Sequence, residues 1–237
     1  MFVAGAGGVI GRRLCPLLVD EGWDVFGTTR SAERTEALRA MGVHPVMVDV
    51  FDESALRRVV AESGADVILQ QLTDLPPGLD PAKLAEARAR NNRIREIGTR
   101  NLVEAAVAAG VKRMIAQSIA FAYAPGPMPH DEGGLLDVAA ADDATAGRAR
   151  AVSLLEQQVM SAPLAGLILR YGKLYGPGTG FDRPPSGGPL HVDAAADAAR
   201  RAITRGQPGV YNIAEKDGTL STLKAERELG WNSDFRI

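Results

Sequence analysis

The chain has 237 residues, 46% of them hydrophobic and 24% charged, with a formal net charge of −2 at pH 7. This ordinary globular composition excludes a mainly disordered, collagen-like or disulfide-scaffold protein, and without a broad basic field nucleic acid is not expected as the main partner. A single cysteine, Cys15, rules out an internal disulfide and fits a reducing cytoplasm, the scattered His44, His130 and His191 offer no metal-ligand spacing, and no apolar run approaches the roughly 18–20 residues that cross a bilayer.

Met1 to Ala4 reads as a short strand, without the basic start and cleavage pattern of a signal peptide, and runs directly into Gly5-Ala6-Gly7-Gly8-Val9-Ile10-Gly11. Residues 12–21 form a helical pattern with Leu14, Leu17 and Leu18 on one face, stopped by Gly22. A second strand spans Asp24 to Thr29, a helix 32–41 stops at Gly42, and a third strand, Val46 to Val48, ends at Asp49. Residues 53–63 read as a helix and Asp66 to Leu69 as a fourth strand. A long helix from about 82 to 109 stops at Gly110. A fifth strand from Lys112 to Gln117, a helix over 145–160 and a sixth strand from Gly166 to Arg170 follow. Pro125 to Gly134 and Gly172 to Pro189 are Pro/Gly-rich loops, of a size that either lines a site or is mobile. Strands alternating with helices predict right-handed crossovers and an α/β fold, a Rossmann-type doubly wound parallel sheet.

Gly5-x-x-Gly8-x-x-Gly11 sits between a strand and a helix. Such a turn lacks Cβ atoms, so a dinucleotide's diphosphate can approach the backbone and meet the N–H groups at the helix N-terminus; the alternative is a packing turn without a ligand. The second strand ends Thr28-Thr29-Arg30-Ser31, with no acid to hold a ribose 2′-hydroxyl. Arg30 suits a 2′-phosphate, which favours NADP over NAD, unless it is a solvated surface arginine.

Further segments carry a family resemblance. Gly98-Thr99-Arg100-Asn101-Leu102-Val103-Glu104-Ala105-Ala106 with Ala109-Gly110-Val111-Lys112-Arg113, the stretch Leu169 to Gly178, His191-Val192-Asp193, Val210-Tyr211-Asn212-Ile213 and Lys224 to Trp231 resemble, in order, five segments of the extended short-chain dehydrogenases, in particular the NAD-dependent epimerase/dehydratase family. The resemblance implies that Gly5, Gly8, Val9, Ile10 and Gly11 hold the diphosphate. Thr29, Arg30 and Ser31 would face the adenosine ribose, and Asp49 and Val50 the adenine. Gln70, Gln71 and Leu72 would run along the cofactor, where the family has small residues, and Gln117, Ser118, Tyr171, Gly172 and Leu174 would lie near the nicotinamide. It also implies a cofactor that is NADP or NAD, and a small-molecule substrate with a sugar or sugar nucleotide as the family default. A homodimer would pair the helices near 82–109 and 145–160 through Ala85, Ala87, Ala89, Ala149 and Ala151.

The family's proton chemistry uses a Tyr-x-x-x-Lys pair after the fifth strand, whose lysine lowers the tyrosine pKa. Counting back from Glu156, these positions fall at Arg148 and Val152. The usual active-site hydroxyl falls at Ile119, beside Ser118. Ser118 and Tyr123 are therefore the remaining candidates for catalysis, Tyr123 alternatively serving as a pocket wall. Arg148 and Arg150 either bind an anion or form a solvated face. His191 is expected to be structural, Asp193 to cap the helix Ala194 to Thr204, and Cys15 to pack among leucines. The chain divides into a dinucleotide-binding region, 1–175, and a reduced substrate-side region, 176–237, interleaved with the last strand and helices. Two functions follow: an epimerase/dehydratase-like oxidoreductase, or a non-catalytic NADP(H)-binding redox sensor or regulatory protein.

Overall fold

The computed structural model describes residues 1–76 and 81–237. The elements run β1 (Phe2–Ala4), α1 (Gly11–Asp20), β2 (Phe26–Thr29), α2 (Ala32–Ala40), β3 (His44–Met47), α3 (Glu53–Ser63), β4 (Val67–Gln70) and α4 (Leu84–Arg93). They continue through α5 (Thr99–Ala108), β5 (Arg113–Ile119), α6 (Asp143–Ser161), β6 (Ala165–Tyr171), β7 (Lys173–Tyr175), β8 (Pro189–His191), α7 (Val192–Arg201), β9 (Gly209–Ile213) and α8 (Leu223–Leu229). Helices α4 and α5 are continuous through a π-helical turn, Ile94–Gly98, so the long helix expected from sequence is present with one wide turn inside it. The strand pair β7–β8 lies in a loop that the sequence pattern left structureless.

Seven strands form one parallel sheet in the order β3-β2-β1-β4-β5-β6-β9. The chain starts at the centre, winds out to β3, then crosses to β4 and winds the other way. The crevice outside the carboxyl ends of β1 and β4 is therefore the switch point where such sheets bind ligands.

Alternate strand residues feed two hydrophobic layers. Val3, Leu69, Ile115, Leu167 and Leu169 pack with Leu14 and Leu18 of α1 and the alanines of α7 on one face. Phe2, Ile68, Met114 and Ile168 pack with Leu56 of α3, Leu102 of α5 and Leu155 of α6 on the other. Cys15 is fully buried in the first layer, as expected of a packing residue. Ala87, Ala149 and Ala151 are buried within the chain, whereas Ala85 and Ala89 are exposed.

Helix ends follow local side chains. Asp52 accepts the Ala55 N–H at 3.0 Å to start α3, and Asp142 accepts the Thr145 N–H at 2.8 Å to start α6. The expectation that Asp193 caps α7 is corrected: His191 Nδ1 accepts the Asp193 N–H at 3.2 Å and is the cap. Asp193 is instead drawn into the interior, because Arg13 Nε donates to it at 2.6 Å and the Ile237 N–H at 3.1 Å. No helix among the described residues is long and apolar enough to cross a membrane.

Candidate functional site

The turn from β1 into α1 is forced by close approach. Gly5 has φ +94°, and a Cβ there would stand 2.5 Å from the Gln71 carbonyl oxygen just past β4. A Cβ on Gly11 would drive into the Gly5 and Ala6 carbonyl oxygens. Thr28 Oγ1 accepts the Gly5 N–H at 3.0 Å and ties the turn to β2. The Gly8 N–H closes the turn on the Gly5 carbonyl at 2.9 Å, whereas those of Gly7, Val9 and Ile10 meet no acceptor among the described residues. These free donors stand at the N-terminal end of α1, where unsatisfied N–H groups and the helix dipole favour an anion.

The turn floors a cleft of about 400 Å³ over the carboxyl ends of β1 to β4. It brings together Gly5, Gly8, Thr29, Arg30, Ser31, Asp49, Val50, Gln71 and Leu72 of the residues expected from sequence, and adds Ala4, Gly7, Thr28, Arg34, Val48, Phe51, Leu56, Thr73 and Ile94. Val9, Ile10 and Gly11 form the lead into α1. Arg30 makes only a loose 3.4 Å pair with Asp74, which Arg90 already holds at 3.0 Å, so the Arg30 guanidinium is free to turn toward a ligand. Arg34, four residues on and on the same side of the cleft, has no ion pair among the described residues. Two guanidiniums, free backbone donors and a turn closed to a Cβ at Gly5 and Gly11 fit a phosphate-rich dinucleotide.

A second cleft, of about 220 Å³, lies over the carboxyl ends of β5 and β6, lined by Ala120, Phe121, Tyr123, His130, Gly172, Lys173, Gly187, Thr219 and Leu220. Of the expected residues it contains Tyr123 and Gly172. Its inner wall rests on a buried ion pair. Arg170 donates to Glu156 from Nε at 2.9 Å and from Nη2 at 2.6 Å, and Ser118 Oγ donates to the same carboxylate at 2.7 Å. Burial works against the Arg170 charge, but Glu156 outweighs it and holds the guanidinium above its usual range. The Tyr123 ring lies between Arg170, 4.8 Å from its centroid, and His130, stacked at 5.1 Å. Its hydroxyl donates to Asn212 Oδ1 at 2.7 Å.

The structure does not bring Ser118 and Tyr123 together on one site. Ser118 is buried on the α6 side and committed to Glu156, while Tyr123 faces the second cleft. Burial pushes the Tyr123 phenol up, and Arg170 and Asn212 only partly offset it, so it is a weaker acid than a free tyrosine. Gln70, Gln117, Tyr171 and Leu174 line neither cleft. Gln70 donates to Thr99 Oγ1 at 3.2 Å, and Tyr171 is buried, donating to the Ala195 carbonyl at 3.3 Å beside the Gln71 amide. The Gln71 amide is buried with neither polar atom in hydrogen-bond geometry. Val152, at the lysine position, is fully buried against Ile119 and Ala122, and the Arg148 guanidinium, at the tyrosine position, lies over the Phe121 ring at 5.9 Å. His191 stays a neutral acceptor, since burial and then Arg236 depress its protonation.

Sequence reasoning missed Arg34, Phe51 and the Glu156–Arg170 pair. Arg34 had a signal, a second arginine in the first turn of the helix that follows Arg30; the ion pair had none, because a helix and the next strand supply one partner each.

The comparisons agree with this geometry. The model of the family described as NAD(P)H-binding matches residues 5–206. The 3-diazoavenalumate denitrifying reductase of a Streptomyces species is 41% identical over 272 aligned residues, covering 98% of this chain and 87% of that protein. The alignment is longer than the chain, so that reductase carries internal segments that this one lacks. The 2-alkyl-3-oxoalkanoate reductase of Stenotrophomonas maltophilia is 28% identical over 75% of this chain and 52% of its own length. The UDP-glucose 4-epimerase of Thermotoga maritima, solved with UDP-glucose, superposes with a TM-score of 0.78 at 18% identity, covering 99% of this chain and 94% of that one. The Thermus thermophilus epimerase, solved with NAD, gives 0.77 at 19%, covering 100% and 94%. With its glycine cradle, its switch-point cleft and reductases among its relatives, the chain belongs to the NAD(P)H-binding family and has the Rossmann fold of the extended short-chain dehydrogenases and epimerases.

Proposed function

We propose that the chain is an NADPH-dependent reductase whose acceptor takes up hydride without a proton from a tyrosine–lysine pair, and that the acceptor is a small molecule bearing a diazo group. One observation carries this reading: the cofactor cradle is whole, while Arg148 and Val152 occupy the two positions that would protonate a carbonyl oxygen. A denitrifying reductase acting on a diazo compound, at 41% identity, supports the acceptor class.

In this reading the N–H groups of Gly7, Val9 and Ile10 bind the diphosphate, and Arg30 and Arg34, with Thr29 and Ser31, bind the 2′-phosphorylated ribose. Asp49, Val50 and Phe51 take the adenine, and Gln71 and Leu72 flank the nicotinamide half. When bound there, the reduced dinucleotide would supply a hydride to a ring carbon bearing a diazonium-type diazo group, an exchange of hydride for dinitrogen that needs no proton at that carbon. Val152 and Ile119 keep the place of the usual ammonium apolar and dry. Tyr123 and Gly172 wall the acceptor, and Ser118 positions Glu156 and thereby Arg170 behind Tyr123. A sugar nucleotide is the second reading, favoured by the epimerase fold alone.

Two experiments test the proposal. Arg30→Ala should weaken NADPH binding about 10- to 100-fold, the worth of a lost charge-assisted contact, and leave NADH within about twofold; equal losses would sink the 2′-phosphate role. With NADPH deuterated at C4, a diazo acceptor should give product deuterated at the carbon that lost dinitrogen. Turnover of ketones or sugar nucleotides but of no diazo compound would overturn the acceptor class, and dinucleotide binding without any turnover would return the chain to a sensor.

A further inference from the structure

Helices α4 and α6 pack along a seam that is polar where such seams are ordinarily apolar. On the α4 side stand Arg88, Asn92 and Arg95, spaced i, i+4 and i+7 on one face. Asn92 faces α6 at Gly147, whose missing Cβ would lie 4.0 Å from its Nδ2, and Arg95 donates to Asn92 Oδ1 at 3.3 Å. Arg95 belongs to the π-helical turn, a distortion found often where a helix serves a site. On the α6 side, Arg148 Nη2 makes a long 3.5 Å contact with Thr145 Oγ1, while its Nε is shielded from solvent and has no acceptor.

The charges of this cluster do not balance. Arg88 and Arg95 both bear on the Arg148 region as like charges, and burial, then the Arg148 charge, pulls Arg95 down to about 10. Asp137 and Asp142 act on Arg148 with the opposite sign, Asp142 while also capping α6, but burial and Arg88 outweigh them. No carboxylate reaches ion-pair distance of Arg88, Arg95 or Arg148 among the described residues. Neighbouring like-charged guanidiniums, one with an idle, desolvated donor, are the half of a fork-to-carboxylate contact that protein supplies. Phe121, which lies under Arg148, also walls the second cleft, so an anion held here would leave the rest of its molecule against that ring.

We propose that the α4–α6 seam binds the carboxylate of an organic-acid substrate, with Arg148 and Arg95 on the anion, Arg88 at the mouth, and Phe121 against the ligand's flat apolar body. The term substrate rests on the reductase reading above; the anion site does not require turnover.

The test uses the full chain and benzoate as probe, by calorimetry, with NADPH titrated separately. Benzoate should bind at about 1–10 mM, as expected for so small a ligand, and neutral benzamide at least about tenfold more weakly. Arg148→Met should weaken benzoate about tenfold or more and leave NADPH binding within about twofold, and Arg88→Met, on the exposed rim, should weaken it several-fold if Arg148→Met does not fold. Arg39→Met, which alters an exposed arginine on α2, should match the parent. Benzoate binding that is absent, or unchanged in both the Arg148 and Arg88 variants, overturns the site, and inorganic phosphate binding as tightly as benzoate overturns its carboxylate class. Loss of NADPH binding in the parent would refute the reductase reading and leave the benzoate result standing by itself.

Discussion

Gly5→Ala puts the cradle under direct strain. Its φ of +94° lies in the region L-residues avoid, which costs about 1–2 kcal/mol for a residue with a Cβ. The new methyl would also lie 2.5 Å from the Gln71 carbonyl oxygen and 2.7 Å from its carbon, against ordinary contacts of 3.4 Å or more. Both are backbone atoms at the end of a sheet strand, so relief requires the β1–α1 turn to move, and overpacking of this kind costs about 1–3 kcal/mol. A total near 3 kcal/mol corresponds to a Tm lowered by about 6–12 °C for a domain of this size. The moved turn also displaces the Gly7, Val9 and Ile10 donors, so NADPH affinity should fall about tenfold or more. Gly7→Ala is the matched control: its φ is not positive, and its Cβ would meet only the Arg34 Cδ at 3.5 Å, so its Tm should stay within about 1 °C of the parent. Scanning calorimetry and cofactor titration read both. A Gly5→Ala protein with parental Tm and parental NADPH affinity would refute the claim that backbone approach shapes the cradle.

Other outcomes follow from the same structure. Glu156→Ala strands the Arg170 guanidinium in the interior and should cost about 3–5 kcal/mol by denaturant unfolding, with much of the loss recovered in Glu156→Leu/Arg170→Met; a single-variant loss below about 1 kcal/mol would show the pair to be dispensable. Asp193 has its pKa depressed, burial opposing and the Arg13 and Ile237 contacts prevailing, so its contribution is full above the unfolded carboxylate pKa of about 3.9 and fades as pH falls through the lower folded value. The stability gap between parent and Asp193→Asn should therefore be widest near neutrality and close in acid; a gap that widens below pH about 4 contradicts the sign. Burial pushes the Cys15 thiol up to about 12, so iodoacetamide should modify it at neutral pH only through unfolding, at a rate that tracks global stability. Fast modification of the folded protein would place Cys15 nearer the surface than the structure does.

The central architecture was legible because each helix carries its own stop and each strand its own apolar run. Gly22, Gly42 and Gly110 all take positive φ where the sequence pattern ends a helix. The first cleft was legible because one glycine turn and the residues just past β2 and β3 compose most of it, and strand ends follow from strand positions. The second cleft was not, because its walls come from loops after β5 and β6 and from residues 219–220, brought together only by tertiary contacts. Strands β7 and β8 have three residues each, too few to show a period. The π-helical turn leaves no compositional mark, and the His191 cap was mistaken by two positions because Asp is the commoner cap and His accepts only when neutral.

Asn212 carries a consequence for the order in which the molecule forms. Its side chain accepts from the Tyr123 hydroxyl and donates to the carbonyls of His130 at 3.1 Å and Ser221 at 3.2 Å, while its backbone N–H meets Glu132 at 3.0 Å. One amide on the edge strand β9 thus clamps the segments around residues 123, 130 and 221. Until β9 docks beside β6, the Tyr123 hydroxyl lacks its acceptor and the segments around 130 and 221 lack their shared clamp, so the second cleft is incomplete. The dinucleotide cradle is lined wholly by residues between Ala4 and Ile94 and takes nothing from β9, so it can close before β9 docks. A refolding chain should accordingly regain dinucleotide binding before it regains a shaped acceptor pocket, which makes nucleotide capture an early event in maturation and acceptor recognition a late one.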